Sequence, residues 1–105
     1  MSANDNIMYK AGAYVFWKWF EENEEQIKDD IVKKGSIFTG AIDDELSRAF
    51  PFLDYEFDYD IEFNHEGGVF YIFHLDRNDF RRMGRALGKY MPPELAKRWK
   101  FLLRK

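Results

Sequence analysis

Asp54-Tyr55-Glu56-Phe57-Asp58-Tyr59-Asp60-Ile61-Glu62-Phe63 is the stretch on which the fold turns: every even position is acidic, and every odd position is aromatic or isoleucine. Side chains alternate across a strand, so Tyr55, Phe57, Tyr59, Ile61 and Phe63 share one face and the five carboxylates the other. The pattern predicts a strand whose rings face the core. Asn64 to Gly68 reads as a loop. Val69 to Leu75, rich in β-branched and aromatic residues, reads as a second strand that closes a hairpin.

The second strand is apolar on both faces, with Val69, Tyr71, Phe73 and Leu75 on one and Phe70, Ile72 and His74 on the other. If the five-residue loop pairs Phe63 with Val69, then Phe70, Ile72 and His74 point outward beside Asp58, Asp60 and Glu62. Large apolar groups on a charged face at an edge strand invite another chain, by sheet extension or face-to-face packing. These six residues form the expected protein-binding site, and a homodimer is the economical expectation. Replacing Phe70 with Glu is then expected to separate the copies without unfolding them.

Upstream, Phe16, Phe20, Ile27 and Ile31 recur at helical spacing from Ala13 to Lys34, with Trp19 and Asn23 on the same face, and Gly35 ends the pattern. Residues 1–12 read as a flexible lead-in to a single domain over 13–105. A second helix is expected from Phe38 to Phe50 on Phe38, Ile42, Leu46 and Ala49, stopped by Pro51. Downstream, Asn78 or Asp79 caps a third helix running to Tyr90, with Phe80, Met83 and Leu87 inward. Pro92 and Pro93 follow, and Arg98 to Arg104 alternates with period two. That segment is read as a third strand, although a helix would also accommodate several of its residues.

The opening Phe16-Trp17-Lys18-Trp19-Phe20-Glu21-Glu22-Asn23-Glu24, read as FWxWFxxNE, resembles the start of a family of uncharacterised bacterial proteins. Pro93, Leu95 and Trp99 fit that family's entry to its last strand loosely. The resemblance implies two helices, two strands, a helix and a strand, and it implies no catalytic residues.

The fold expected is α+β, a two-layer sandwich in the order α-α-β-β-α-β. Arg98, Lys100 and Arg104 would pair with the acidic face of the first strand, each opposite-charge pair contributing about 0.2–1 kcal/mol. That places the third strand beside the first, in an antiparallel sheet of order 2-1-3 with the helices on one face. Buried Asn23 would need a hydrogen-bond partner.

The net charge of −3 hides a split, because residues 1–66 hold 6 Lys/Arg against 16 Asp/Glu and residues 67–105 hold 10 against 3. In one small domain the two halves share a core, and neutralising each other is the plain reading of the asymmetry. With 105 residues, 46% hydrophobic and no cysteine, the chain is a folding domain in which disulfide scaffolds, thiolate metal sites and cysteine nucleophiles are excluded. A cytoplasmic protein is the default, and no apolar run is long enough to span a bilayer.

Candidate chemistry is sparse. His74 opposite Asp58 could make a general-base dyad, but without a nucleophile placed by motif it reads as a structural pair, and His65 reads as exposed. Acids two apart on a strand lie about 6.6–6.8 Å apart along it, too far for three neighbours to share one cation. The expectation is therefore a non-enzymatic interaction module with no cofactor and no metal. The alternative is an acidic inhibitor or immunity-type protein that blocks a basic, nucleic-acid-binding site. A nucleic-acid binder using Arg77, Arg81, Arg85 and Lys89 of the third helix stands behind both, against the overall acidity. In that helix Gly84 and Gly88 suggest close packing against the first helix or a partner.

Overall fold

A computed structural model describes residues 3–34, 39–53, 58–74 and 77–104. Its elements are α1 (Ala3–Glu22), α2 (Glu24–Lys34), α3 (Thr39–Ala49), β1 (Asp58–Asn64), β2 (Gly67–Phe73), α4 (Asn78–Lys89), α5 (Pro93–Ala96) and β3 (Trp99–Arg104). The expected strand residues Asp54 to Phe57, the end of the second strand at Leu75, the helix stop at Gly35 and Phe38 lie outside the described residues.

The helical start differs from the expectation in two ways. What reads as a flexible lead-in is helical from Ala3. The single long helix is divided at Asn23, whose amide donates to the carbonyls of Trp19 (3.0 Å) and Phe20 (3.2 Å). The Asn23 side chain donates to the same Trp19 carbonyl at 2.9 Å, which is the partner this half-buried amide needs. α1 runs between α3 and α4, while α2 lies against β1 and α4 against β3. Phe16 of α1 meets Phe70, Lys28 of α2 lies over Phe63, Asp43 of α3 bonds Tyr59 and Gly84 of α4 faces Leu103, all on the same side of the sheet.

The sheet is three-stranded in the order β1-β2-β3, with β1 and β2 antiparallel and β2 and β3 parallel. This corrects the antiparallel 2-1-3 arrangement: β3 lies beside β2, not β1. The strand that is apolar on both faces takes the centre, where each face has neighbours, and α4 carries the chain back so that β3 can run parallel to β2. Cross-strand charge pairs worth at most about 1 kcal/mol each do not outweigh that burial. Trp99 also needs a bare backbone beside it. A Cβ on Gly68 would overlap the Trp99 ring, so glycine at 68 is what lets β3 dock here. Gly68→Ala is expected to destabilise the domain by about 1–3 kcal/mol, measured as a lower urea midpoint with an unchanged m-value.

The hairpin register is the second correction. Only His65 and Glu66 form the turn, with Gly67 at φ 120° and the Glu66 amide donating to Asn64 Oδ1 at 2.8 Å. Phe63 pairs with Gly68, Ile61 with Phe70 and Tyr59 with Ile72. The register is one residue away from the Phe63–Val69 pairing, and a slip of one exchanges the faces of the whole strand. Phe70, Ile72 and His74 are buried, and Val69, Tyr71 and Phe73 take the outer face. On β1 the alternation holds as expected, with Ile61 buried and Asp58, Asp60 and Glu62 exposed.

The core is a ring cluster centred on Phe70, whose centroid lies 5.8 Å from Phe16, 6.2 Å from Phe20, 5.8 Å from Tyr59 and 5.7 Å from Phe101. Trp17, fully buried, donates its indole N–H to the Leu87 carbonyl at 2.8 Å and so fastens α1 to α4. The two glycines of α4 meet β3 instead of α1: a Cβ at Gly84 would strike Leu103, and one at Gly88 would touch Phe101.

Candidate interaction surface

The outer face of the sheet is built in three rows by the strand register. Asp58, Phe73 and Arg104 form the first row, Asp60, Tyr71 and Leu102 the second, and Glu62, Val69 and Lys100 the third. Each row runs from an acid on β1 through an apolar residue on β2 to a cation or leucine on β3. Asp58, Asp60, Glu62, Lys100, Leu102 and Arg104 are exposed, and Val69, Tyr71 and Phe73 are half-buried. No described helix packs against this side.

The acidic edge is not neutralised within the sheet. β1 and β3 lie about 10 Å apart across β2, and among the described residues no ion pair joins Asp58, Asp60 or Glu62 to a cation. Asp60 Oδ1 accepts the Ile61 amide, at 2.9 Å. Arg104 turns inward over the Tyr71 ring, 4.4 Å from its centroid, and with Asp60, Glu62, Tyr71 and Phe73 it lines a shallow depression.

Of the six residues expected at a binding surface, Asp58, Asp60 and Glu62 are on this face, whereas Phe70, Ile72 and His74 lie beneath it. Sequence reasoning missed Tyr71, Phe73 and Leu102; the phenol of Tyr71, a polar tip suited to water, was the available signal. The His74–Asp58 dyad does not form, since Asp58 is exposed opposite Phe73 and His74 is buried past the strand end. His74 instead ends the sheet, its amide donating to the Arg104 carbonyl at 2.9 Å and its carbonyl accepting from the Arg77 amide at 2.8 Å. His65 is exposed in the turn.

The groups with displaced pKa values serve the fold. Burial alone would raise the Glu24 carboxyl, but hydrogen bonds from Arg98 and Trp99, with the charges of Lys28 and Arg98, outweigh burial and hold it below its ordinary value. Arg98 grips both oxygens, Nε at 2.8 Å and Nη2 at 3.0 Å, and Trp99 Nε1 donates at 2.9 Å. Burial raises Glu45, against the opposing charge of Arg48. Burial, then the charge and hydrogen bond of Asp43, push the Tyr59 phenol well above its usual range and tie β1 to α3. Among the described residues no three acidic or histidine side chains are grouped to hold a metal ion.

The FWxWFxxNE segment is likewise structural. Phe16, Trp17 and Phe20 are core, Asn23 closes the α1–α2 turn, and Glu24 receives Arg98 and Trp99. In the expected four-residue stripe Arg81 is half-buried, whereas Arg77, just ahead of α4, and Arg85 and Lys89 are exposed, with Arg77 5.6 Å over Phe80 and Lys89 5.4 Å over Tyr90. α1 exposes Ile7, Met8, Tyr14 and Val15, with Lys10 over the rings of Tyr14 (6.0 Å) and Tyr90 (5.5 Å). No described helix is long and apolar enough to cross a membrane. No protein-family profile, curated protein or solved structure matches the chain.

Proposed function

We propose that this chain is a non-enzymatic protein-interaction module that docks its partner on the outer face of the sheet. The observation that supports the reading is the apolar strip of Val69, Tyr71, Phe73 and Leu102, left open between an acidic and a basic edge while the helices occupy the other side. An open face with aromatic residues at its centre and charges at its rim has the composition of a protein interface. The acidic-inhibitor reading stands second, favoured by the row of Asp58, Asp60 and Glu62, which no ion pair joins to a cation among the described residues. The resemblance to the uncharacterised bacterial family fits either reading, because the motif residues are committed to the fold.

A photo-crosslinking phenylalanine placed at Tyr71 in the native host tests the face. Covalent adducts to protein are expected from position 71 and none from Arg85 on α4. A position 71 that yields no adduct would remove the reading, and adducts confined to a basic nucleic-acid enzyme would favour the inhibitor.

A further inference from the structure

We propose that the occupant of the outer face is a second copy of this chain, packed sheet to sheet about a two-fold axis parallel to the strands. The inference rests on the docking reading above and adds the partner and its orientation. It follows from the order of charges in the three rows. Two copies of one face can be apposed with the two-fold axis along the strands or across them. With the axis along the strands, left and right exchange while each row keeps its height. Asp58 of one copy then lies over Arg104 of the other, and Glu62 over Lys100. Between them Phe73 meets Phe73, Tyr71 meets Tyr71 and Val69 meets Val69. With the axis across the strands, each edge meets itself: Asp58 lies over Glu62, Asp60 over Asp60 and Arg104 over Lys100. The face is thus self-complementary in one orientation and repulsive in the other, and like charges brought together select against the wrong arrangement.

The match uses charges that no ion pair among the described residues takes up within the sheet. Lys100 stands two strands from the acids of β1, and Arg104, which leans over the Tyr71 ring, swings back to its own edge to meet Asp58 of the other copy. Aligned sheets pack with their strands about 30° apart, so the middle rows coincide closely and the end rows meet through the long side chains of Lys100 and Arg104. Three strands about 4.8 Å apart and six to seven residues long give a footprint of about 300 Å² on each copy, about 600 Å² in all and below the roughly 1,000 Å² that a stable interface clears, which places the contact among weak, transient ones. The dimer is therefore expected to dissociate on dilution into the micromolar range.

Two charge-reversed chains provide the test. Asp58→Lys with Glu62→Lys makes both edges basic, and Lys100→Glu with Arg104→Glu makes both edges acidic. All four positions are exposed, and circular dichroism checks that each variant is folded. By sedimentation equilibrium the wild type is expected to be a dimer at high concentration. Each variant alone is expected to have a dissociation constant raised at least about tenfold, and an equimolar mixture to recover the dimer, because opposite charges again meet on both edges. If either double variant does not fold, the single pair Glu62→Lys and Lys100→Glu asks the same question. A wild type that stays monomeric at millimolar concentration, variants that self-associate as the wild type does, or a mixture that stays monomeric would each overturn the proposal. A monomer whose position 71 still crosslinks to another protein would sink the second copy while sparing the docking face. A monomer without adducts would sink both.

Discussion

Phe70→Glu is expected to abolish folding, and Tyr71→Glu, one residue along, to leave the domain folded. Phe70 is 1% exposed and its ring touches the aromatic groups of α1, β1 and β3. Losing a buried phenylalanine costs about 3–5 kcal/mol. Placing a carboxylate there without a partner adds several more, or forces it to take up a proton. Together they approach or exceed the whole stability of a typical domain, about 5–15 kcal/mol. Tyr71 points the other way, half-exposed on the outer face, where a carboxylate keeps its water. Near-UV circular dichroism and urea titration separate the outcomes. A folded Phe70→Glu chain beside an unfolded Tyr71→Glu chain would require the Phe63–Val69 register.

The second large effect is expected at Glu24. Truncation to alanine leaves the indole N–H of Trp99 buried without an acceptor and removes both hydrogen bonds to Arg98, a loss of about 2–4 kcal/mol. The carboxyl titrates below its ordinary value of 4.5 in the folded protein. Its contribution is therefore complete above the unfolded-state pKa and is lost as pH falls through the lower folded-state pKa. The wild type should accordingly lose stability on acidification from neutrality to about pH 3, and Glu24→Ala should lose less over the same interval. Urea midpoints for both chains at the two pH values check the sign. Parallel curves would mean that Glu24 is not the group responsible.

The strand β1 was legible because only one of its faces is apolar, so its alternation admits a single orientation. β2 carries apolar residues on both faces, and its hydrophobic pattern is the same in either register. The turn decides, and a two-residue turn in place of a five-residue loop shifts the pairing by one. The helices over 39–49 and 78–89 were legible from spacing, although α4 starts after Arg77 with no side-chain cap hydrogen bond instead of being capped by Asn78 or Asp79, whereas α1 is apolar on too many sides for periodicity to fix its start. The placement of β3 was not accessible to local reasoning. It depends on Glu24, on Trp99 seventy-five positions later, and on the missing side chain of Gly68. None of these announces itself until the chain is folded. The candidate surface inherits both errors: Asp58, Asp60 and Glu62 take the expected face, but Lys100 and Arg104 lie across β2 instead of beside them, and the apolar centre moves by the register onto the neighbouring residues of the same strand.

The clasp of Glu24 by Arg98 and Trp99 also orders events in time. A nascent chain that has already made α1, α2 and the hairpin still holds Glu24 without its two partners, and the rings of Phe20 and Phe63 lack the indole that later lies 5.0 and 5.4 Å from them. The aromatic layer closes only after the segment through Arg104 has emerged. Until that segment has joined, α1 and the hairpin hold part of the aromatic layer open to water, so closure of the core waits on a contact between residues seventy-five positions apart.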